Sequence, residues 1–140
     1  MADRLKKSLR AEQAGKLFER LVGETLHVFG CQFDCQVVVG QNPLYGRKWR
    51  ADFVLTNLPE FSGGLILEAK AQNRRGSVDV KFPYLLASIR EVHRPTIVVA
   101  SGPWLRDASA WLRRQCDGET LIAVFDFEEF VSWLRNLELT

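Results

Sequence analysis

The apolar run Leu65-Ile66-Leu67 leads without a break into Glu68-Ala69-Lys70, and this transition constrains the fold more than any other part of the chain. In an extended strand alternate side chains share a face, so Ile66, Glu68, Lys70 and Gln72 point one way and Leu65, Leu67, Ala69 and Ala71 the other. Two opposite charges then emerge side by side from an otherwise buried strand. Such a placement is costly unless a partner or a metal ion compensates the charges. Asp52, sixteen residues earlier in Trp49-Arg50-Ala51-Asp52-Phe53-Val54-Leu55, is the carboxylate best placed to share that site from a neighbouring strand.

The rest of the chain supplies the elements around this pair. From Ala11 to about Val28 the residues Leu17, Phe18, Leu21, Val22 and Leu26 recur at helical spacing, followed by Gly30. Phe33 to Val39 is rich in β-branched residues and reads as a strand. Gly40-Gln41-Asn42-Pro43 with Gly46 makes a turn into the strand that carries Asp52. A loop from Asn57 to Gly64 precedes the strand from Leu65 to about Ala71, and three strands joined so closely form an antiparallel meander. Ser77 to about Val92 is predicted to be a helix, with Ser77 or Asp79 as N-cap and Pro83 tolerable only in the first turn. Thr96 to Ala100 is a short apolar strand of the kind buried on both faces. A helix bearing Trp104, Leu105, Ala108, Trp111 and Leu112 follows, then a strand from Leu121 to Phe125 and a final amphipathic helix from Glu128 to Leu137. The order is α-β-β-β-α-β-α-β-α in a single domain spanning 1–140, an α/β chain.

Composition narrows the function classes. Hydrophobic residues make up 46% and charged residues 26%, the balance of a globular protein with a real core. No apolar stretch approaches membrane-spanning length and no signal-peptide pattern follows Met1, so a cytoplasmic protein of a bacterial, archaeal or phage-infected cell, with no membrane partner, is expected. Cys31, Cys35 and Cys116 lack a zinc-knuckle spacing and read as free thiols. A net charge of +2 does not by itself indicate nucleic-acid binding. Its distribution is more informative: Arg4, Lys6, Lys7 and Arg10 cluster at the start, Arg47, Lys48 and Arg50 precede Asp52, and Arg74 and Arg75 follow Lys70. A solvated face accounts for one such run; two runs flanking the same acidic site make DNA the expected partner.

Phosphodiester hydrolysis needs an activated water and neutralisation of charge on phosphate and leaving oxygen, which one or two magnesium ions can supply. Magnesium prefers hard oxygen ligands. Asp52 and Glu68 offer carboxylates from neighbouring strands, and the Ala69 carbonyl can complete the protein's share. Lys70, beside Glu68, can position or deprotonate the attacking water and stabilise negative charge, with the metal helping to keep its pKa low. Other chemistries are poorly supplied. His27 and His93 are isolated, no glycine-rich phosphate loop is present, and Ser77, Ser101 and Ser109 lack a nucleophile-elbow context. Trp104, Trp111 and Trp133 sit at core spacing, while Trp49 in the basic strand is either packing or base-stacking.

With Arg50-Ala51-Asp52 and Glu68-Ala69-Lys70 the chain resembles the PD-(D/E)XK nuclease superfamily, whose signature is an aspartate on one strand and Glu-X-Lys on the next. Ala51 stands where a proline often precedes the aspartate. The resemblance implies a restriction endonuclease-like core of order αβββαβ, a mixed β-sheet flanked by helices on both faces, consistent with the order read from the residues. It further implies a Mg2+-dependent DNA endonuclease, with Mn2+ as substitute, similar to small phage or mobile-element nucleases and Holliday-junction resolvases. In similar nucleases a first-helix glutamate contacts metal-bound water, a role that would fall to Glu19; the alternative is an edge glutamate paired with Lys16. Gln72 resembles the glutamine that follows the motif in exonuclease-like members, or is a polar residue at a strand end. Lys81 resembles a phosphate contact at the following helix start, or is merely exposed, and Tyr84 is either functional or core.

Three functions remain open at the level of sequence. The first is an endonuclease of homing, restriction or structure-specific type. The second is a resolvase or a recombination or transposition nuclease subunit that needs its complex, and the third a non-catalytic DNA-binding assembly subunit. Small size and family resemblance also lead to the expectation of a homodimer or higher homo-oligomer.

Overall fold

The computed structural model describes the backbone of residues 2–71, 77–102 and 106–140 and the side chains of 13–71, 82–102 and 108–140. The elements follow as α1 (Ala2–Val28), β1 (Phe33–Gln41), β2 (Lys48–Leu55), β3 (Leu65–Ala71), α2 (Ser77–Val92), β4 (Thr96–Ser101), α3 (Arg106–Arg113), β5 (Leu121–Phe125) and α4 (Phe127–Arg135). The strands form one sheet in the order β1-β2-β3-β4-β5. The first three pair antiparallel. β3 with β4 and β4 with β5 pair parallel, because α2 and α3 carry the chain back across the sheet between them. The expected meander and the mixed sheet are both present.

Helices cover both faces. On one side Phe18, Val22 and Leu26 of α1 and Phe130 and Leu134 of α4 pack against Leu65, Leu67, Ile97 and Val99. On the other, Phe82, Leu85, Leu86 and Ile89 of α2 and Leu112 of α3 pack against Val98, Ala100, Leu121 and Val124. Every residue of β4 from Thr96 to Ala100 is buried, as its continuous apolar sequence requires of a central strand. The last helix is set by a capping box: Asp126 Oδ1 accepts from the Glu129 N–H at 2.8 Å and Glu129 Oε1 accepts from the Asp126 N–H at 3.0 Å. Cys31, Cys35 and Cys116 are free thiols. Among the described residues no helix is long and apolar enough to cross a membrane.

Two features depart most from the sequence reading, the start of α1 and the place of Pro83. α1 begins at Ala2, nine residues before the apolar period starts, because helix formers without glycine or proline propagate a helix beyond its apolar stripe. Pro83 lies well inside α2 instead of in its first turn. Its ring is exposed, so the missing N–H bond falls on the solvent side of the helix. The proposed caps Ser77 and Asp79, and Trp104 and Leu105, have side chains outside the described residues.

The β1–β2 hairpin does not keep its sides. Phe33 and Cys35 line a groove against α1, and Phe53 and Leu55 pack toward α1. Val37, Val39, Trp49 and Ala51 pack instead with Val54, Ile66 and Val92 of the opposite layer. Residues two apart on a strand ordinarily share a face, so both strands change sides at the one position between the pairs Cys35↔Phe53 and Val37↔Ala51. That position is occupied by Gln36 and Asp52. Gln36 has φ 53°, a left-handed conformation rare for a residue that is neither glycine nor asparagine, and it allows β1 to rotate there.

Beyond this point the hairpin is fastened to α2. Buried Asn42 donates through Nδ2 to Ser88 Oγ at 2.6 Å, while its Oδ1 accepts the Leu44 N–H at 2.8 Å and the Tyr45 N–H at 3.2 Å. Gly40 permits the close approach, since a Cβ there would stand 2.5 Å from Val92 Cγ2. Gly40→Ala is therefore expected to destabilise the fold by about 1–3 kcal/mol, with most of the loss recovered in Gly40→Ala/Val92→Ala. Thermal melts check this, and an unchanged melting temperature in the single variant would count against the packing described.

Candidate active site

β2 and β3 pair as far as Phe53↔Leu67, and at the next position side chains take the place of the backbone ladder. Asp52 Oδ2 accepts the Ala69 N–H at 2.9 Å, and Glu68 Oε1 accepts the Asp52 N–H at 3.0 Å. The indole Nε1 of Trp49 donates to the same Glu68 oxygen at 3.3 Å. Each carboxylate thus uses one oxygen to satisfy an N–H that the parting strands leave without a carbonyl. Lys70 Nζ lies 3.2 Å from the other Glu68 oxygen, Oε2. The alternation of β3 accounts for this: Leu65 and Leu67 enter the α1-side core, with Ala69 and Ala71 packed against it, and Glu68 and Lys70 leave on the other side.

Burial governs the electrostatics. Glu68 is 2% exposed, and burial pushes its carboxyl up to about 7, against the opposing pull of Lys70. Asp52 is raised by burial, offset in part by the Ala69 N–H and by Lys70. Burial alone would lower the Lys70 ammonium, but Glu68 and Asp52 outweigh it and hold its pKa above the ordinary value. With protein groups alone Lys70 is therefore a firmly charged donor.

α1 brings Glu19 to the same place. Its Oε1 accepts from Gln36 Nε2 at 2.6 Å, so Gln36, and not Lys16, is the partner the structure gives it. Burial and the nearby Asp52 charge raise its pKa, and Lys70 acts in the opposite direction. Glu19 of α1 thus comes within electrostatic range of Asp52 and Lys70, which in turn act on Glu68. Arg47, Lys48 and Arg50 are exposed at the start of β2, leading away from Asp52 towards the hairpin turn. Gln72, Arg74, Arg75 and Lys81 lie outside the described side chains. Tyr84 stacks on Tyr45 of the turn, with ring centroids 6.1 Å apart.

The donor set suits a hard divalent cation: two carboxylates, each anchored through one oxygen, beside the backbone of Ala69. Among the described residues no three His, Cys, Asp or Glu side chains converge closely enough to hold a metal by themselves. Glu19 accordingly stands outside the Asp52–Glu68 pair. Sequence reasoning missed Gln36 entirely and left Trp49 undecided. Nothing in Cys35-Gln36-Val37 signals a left-handed residue, whereas a tryptophan three residues before Asp52 on the same strand was a visible cue.

The chain matches the model of the PD-(D/E)XK nuclease superfamily domain over residues 10–138. Among solved structures it is similar to the restriction endonuclease PspGI in complex with substrate DNA, with a TM-score of 0.62 and 12% sequence identity. That similarity covers 94% of this chain and 52% of the other, so the chain spans about half the length of that nuclease. No curated protein matches.

Proposed function

The chain belongs to the PD-(D/E)XK nuclease superfamily, and from that premise we propose that it is a Mg2+-dependent DNA endonuclease with Asp52, Glu68 and Lys70 as its catalytic residues. The observation that carries the reading is the interlocked pair: two carboxylates from diverging strands, each pinned by the other strand's backbone, with Lys70 3.2 Å from Glu68 Oε2. A purely structural salt bridge does not need Asp52, and a purely structural aspartate does not need Lys70.

Asp52, Glu68 and the Ala69 carbonyl would hold the cation, with Glu19 reaching it through water. When bound, magnesium supplies charge neutralisation at the phosphate and an acidified water. The protein's own contribution is positional. Backbone N–H groups fix the orientation of Asp52 and Glu68, and the Trp49 indole closes the Glu68 oxygen that faces it. Lys70 presents its ammonium beside Glu68, where it can orient a nucleophilic water and donate to a phosphate oxygen as charge builds. Arg47, Lys48 and Arg50 would hold the DNA backbone, an electrostatic contact independent of sequence, as would Arg74, Arg75 and Lys81, while Gln72 would serve in the catalytic site beside Lys70. Recognition would then be by DNA shape or by two or more cooperating copies, in a homodimer or higher homo-oligomer acting in the cytoplasm.

The test is cleavage of supercoiled, linear and four-way-junction DNA by the purified chain with Mg2+ or Mn2+. Product that appears with either metal and disappears with chelator supports the reading. DNA binding with no cleavage of any substrate would instead identify a non-catalytic subunit, and cleavage rescued only by a partner protein would identify a nuclease that works inside a recombination complex.

A further inference from the structure

Gln36 occupies a position that its neighbours on β1 do not explain. It is polar, lies opposite Asp52 where the hairpin changes sides, and adopts φ 53°, a conformation costing a non-glycine residue on the order of 1 kcal/mol or more. Its amide nitrogen donates to Glu19 Oε1 at 2.6 Å, and the strand register sets it opposite Asp52, whose carboxyl it helps to hold down against burial. A primary amide has two N–H groups on one nitrogen, so a single side chain can serve both carboxylates. It opens onto a groove of about 880 Å3 between α1 and the hairpin, which Glu19 and Gln36 share with Phe33, Cys35 and Phe53.

The chemistry of the bridge matters. Two carboxylates brought together repel, and a lysine or arginine between them would remove the repulsion by cancelling their charge. That charge is what a divalent cation requires. An amide is neutral: it can hold Glu19 beside the position opposite Asp52 and leave the charge of both carboxylates in place. The contact also joins separate elements, because Glu19 rides on α1 and Asp52 on β2, and among the described residues no backbone hydrogen bond fixes the distance between them.

We propose that Gln36 is a positioning residue, whose amide docks the Glu19 carboxylate of α1 against Asp52 of β2 and so sets the outer carboxylate of the metal site before a cation arrives. The inference rests on the nuclease reading and adds to it a residue outside the Asp/Glu-X-Lys motif. Gln36 acts through Glu19, so its loss matters only while Glu19 is present.

The experiment is a calorimetric Mn2+ titration of the full chain and of Gln36→Gly, Gln36→Asn, Glu19→Ala and Glu19→Ala/Gln36→Gly, with melting temperatures measured alongside. Glycine keeps the left-handed backbone and removes the amide; asparagine keeps an amide and tolerates the conformation. Gln36→Gly is expected to melt no lower than wild type yet bind Mn2+ about tenfold more weakly, the scale of lost outer-shell contacts. Gln36→Asn should recover part of that loss, and Gln36→Gly should add nothing in the Glu19→Ala background. Wild-type affinity in Gln36→Gly, or losses that add independently of Glu19, would overturn the proposal while leaving the nuclease reading intact. A wild-type chain that neither binds Mn2+ nor cuts DNA overturns both.

Discussion

Asp52→Ala is expected to reduce metal-dependent DNA cleavage to background, and Lys70→Ala to slow it by about 10²–10⁴-fold, the range for a lost general acid–base group. The two variants should fail for different reasons. Asp52 carries an anionic charge into the candidate metal site and also caps the Ala69 N–H at 2.9 Å, so its removal weakens the cation's hold and frees a backbone donor. Lys70 carries a positive charge 3.2 Å from Glu68. Its loss removes a group that repels a cation, so Mn2+ affinity in Lys70→Ala should be unchanged or higher while turnover collapses. Calorimetry and single-turnover cleavage on the same preparations separate the cases, with circular dichroism as a check on folding. Weakened Mn2+ binding in a folded Lys70→Ala would make the lysine a structural support for Glu68 and remove it from the chemistry.

The second large effect lies in stability. Burial raises the Glu68 carboxyl from 4.5 to about 7. In that window the folded chain holds a proton that the unfolded chain has released, so stability falls as pH rises. The benefit of the neutral form is complete below about pH 4.5 and gone above about pH 7. Glu68→Gln keeps a carbonyl oxygen for the Asp52 and Trp49 donors and never ionises. In chelator it should therefore match wild type near pH 5 and exceed it at pH 8 by on the order of 2 kcal/mol, several degrees in a domain of this size. The same variant should be inactive. Melting curves of both proteins at pH 5 and pH 8 decide the matter: a gap of constant size would show that burial of the charge is not what strains the site. Cation binding has to displace the Glu68 proton, so more metal should be needed for cleavage as pH drops below 7.

These expectations were legible to different depths. The face shared by Glu68 and Lys70 followed from strict alternation along β3, which the packing of Leu65 and Leu67 obeys. The doubly buried β4 followed from its unbroken apolar sequence. For Asp52 the strand was legible and the orientation was not, because β2 abandons alternation between Ala51 and Phe53. That change depends on a left-handed residue on the neighbouring strand, and glutamine carries no signal for it as glycine or asparagine would. Glu19 could be assigned to a helix stripe by periodicity, but its partner was hidden. Gln36 lies 17 positions away and meets it only once the hairpin has folded against α1. Pro83 misled for the opposite reason, since a local rule about prolines gave way to the burial of Phe82, Leu85, Leu86 and Ile89 around it.

The exchange of sides at Gln36 and Asp52 also bears on how the chain reaches its native state. In a regular hairpin a one-residue slip inverts every side chain and is rejected, whereas a two-residue slip restores the original sides and survives as a competing trap. Here neither survives. Shifting β1 by two residues would set the stretch that faces α2 beside the stretch that faces α1, and would bring the left-handed residue opposite a position that does not turn. Asp52 therefore sits at a register mark of the hairpin, which the bulge between Val38 and Gly40 reinforces, and misaligned pairings lack a basin in which to linger.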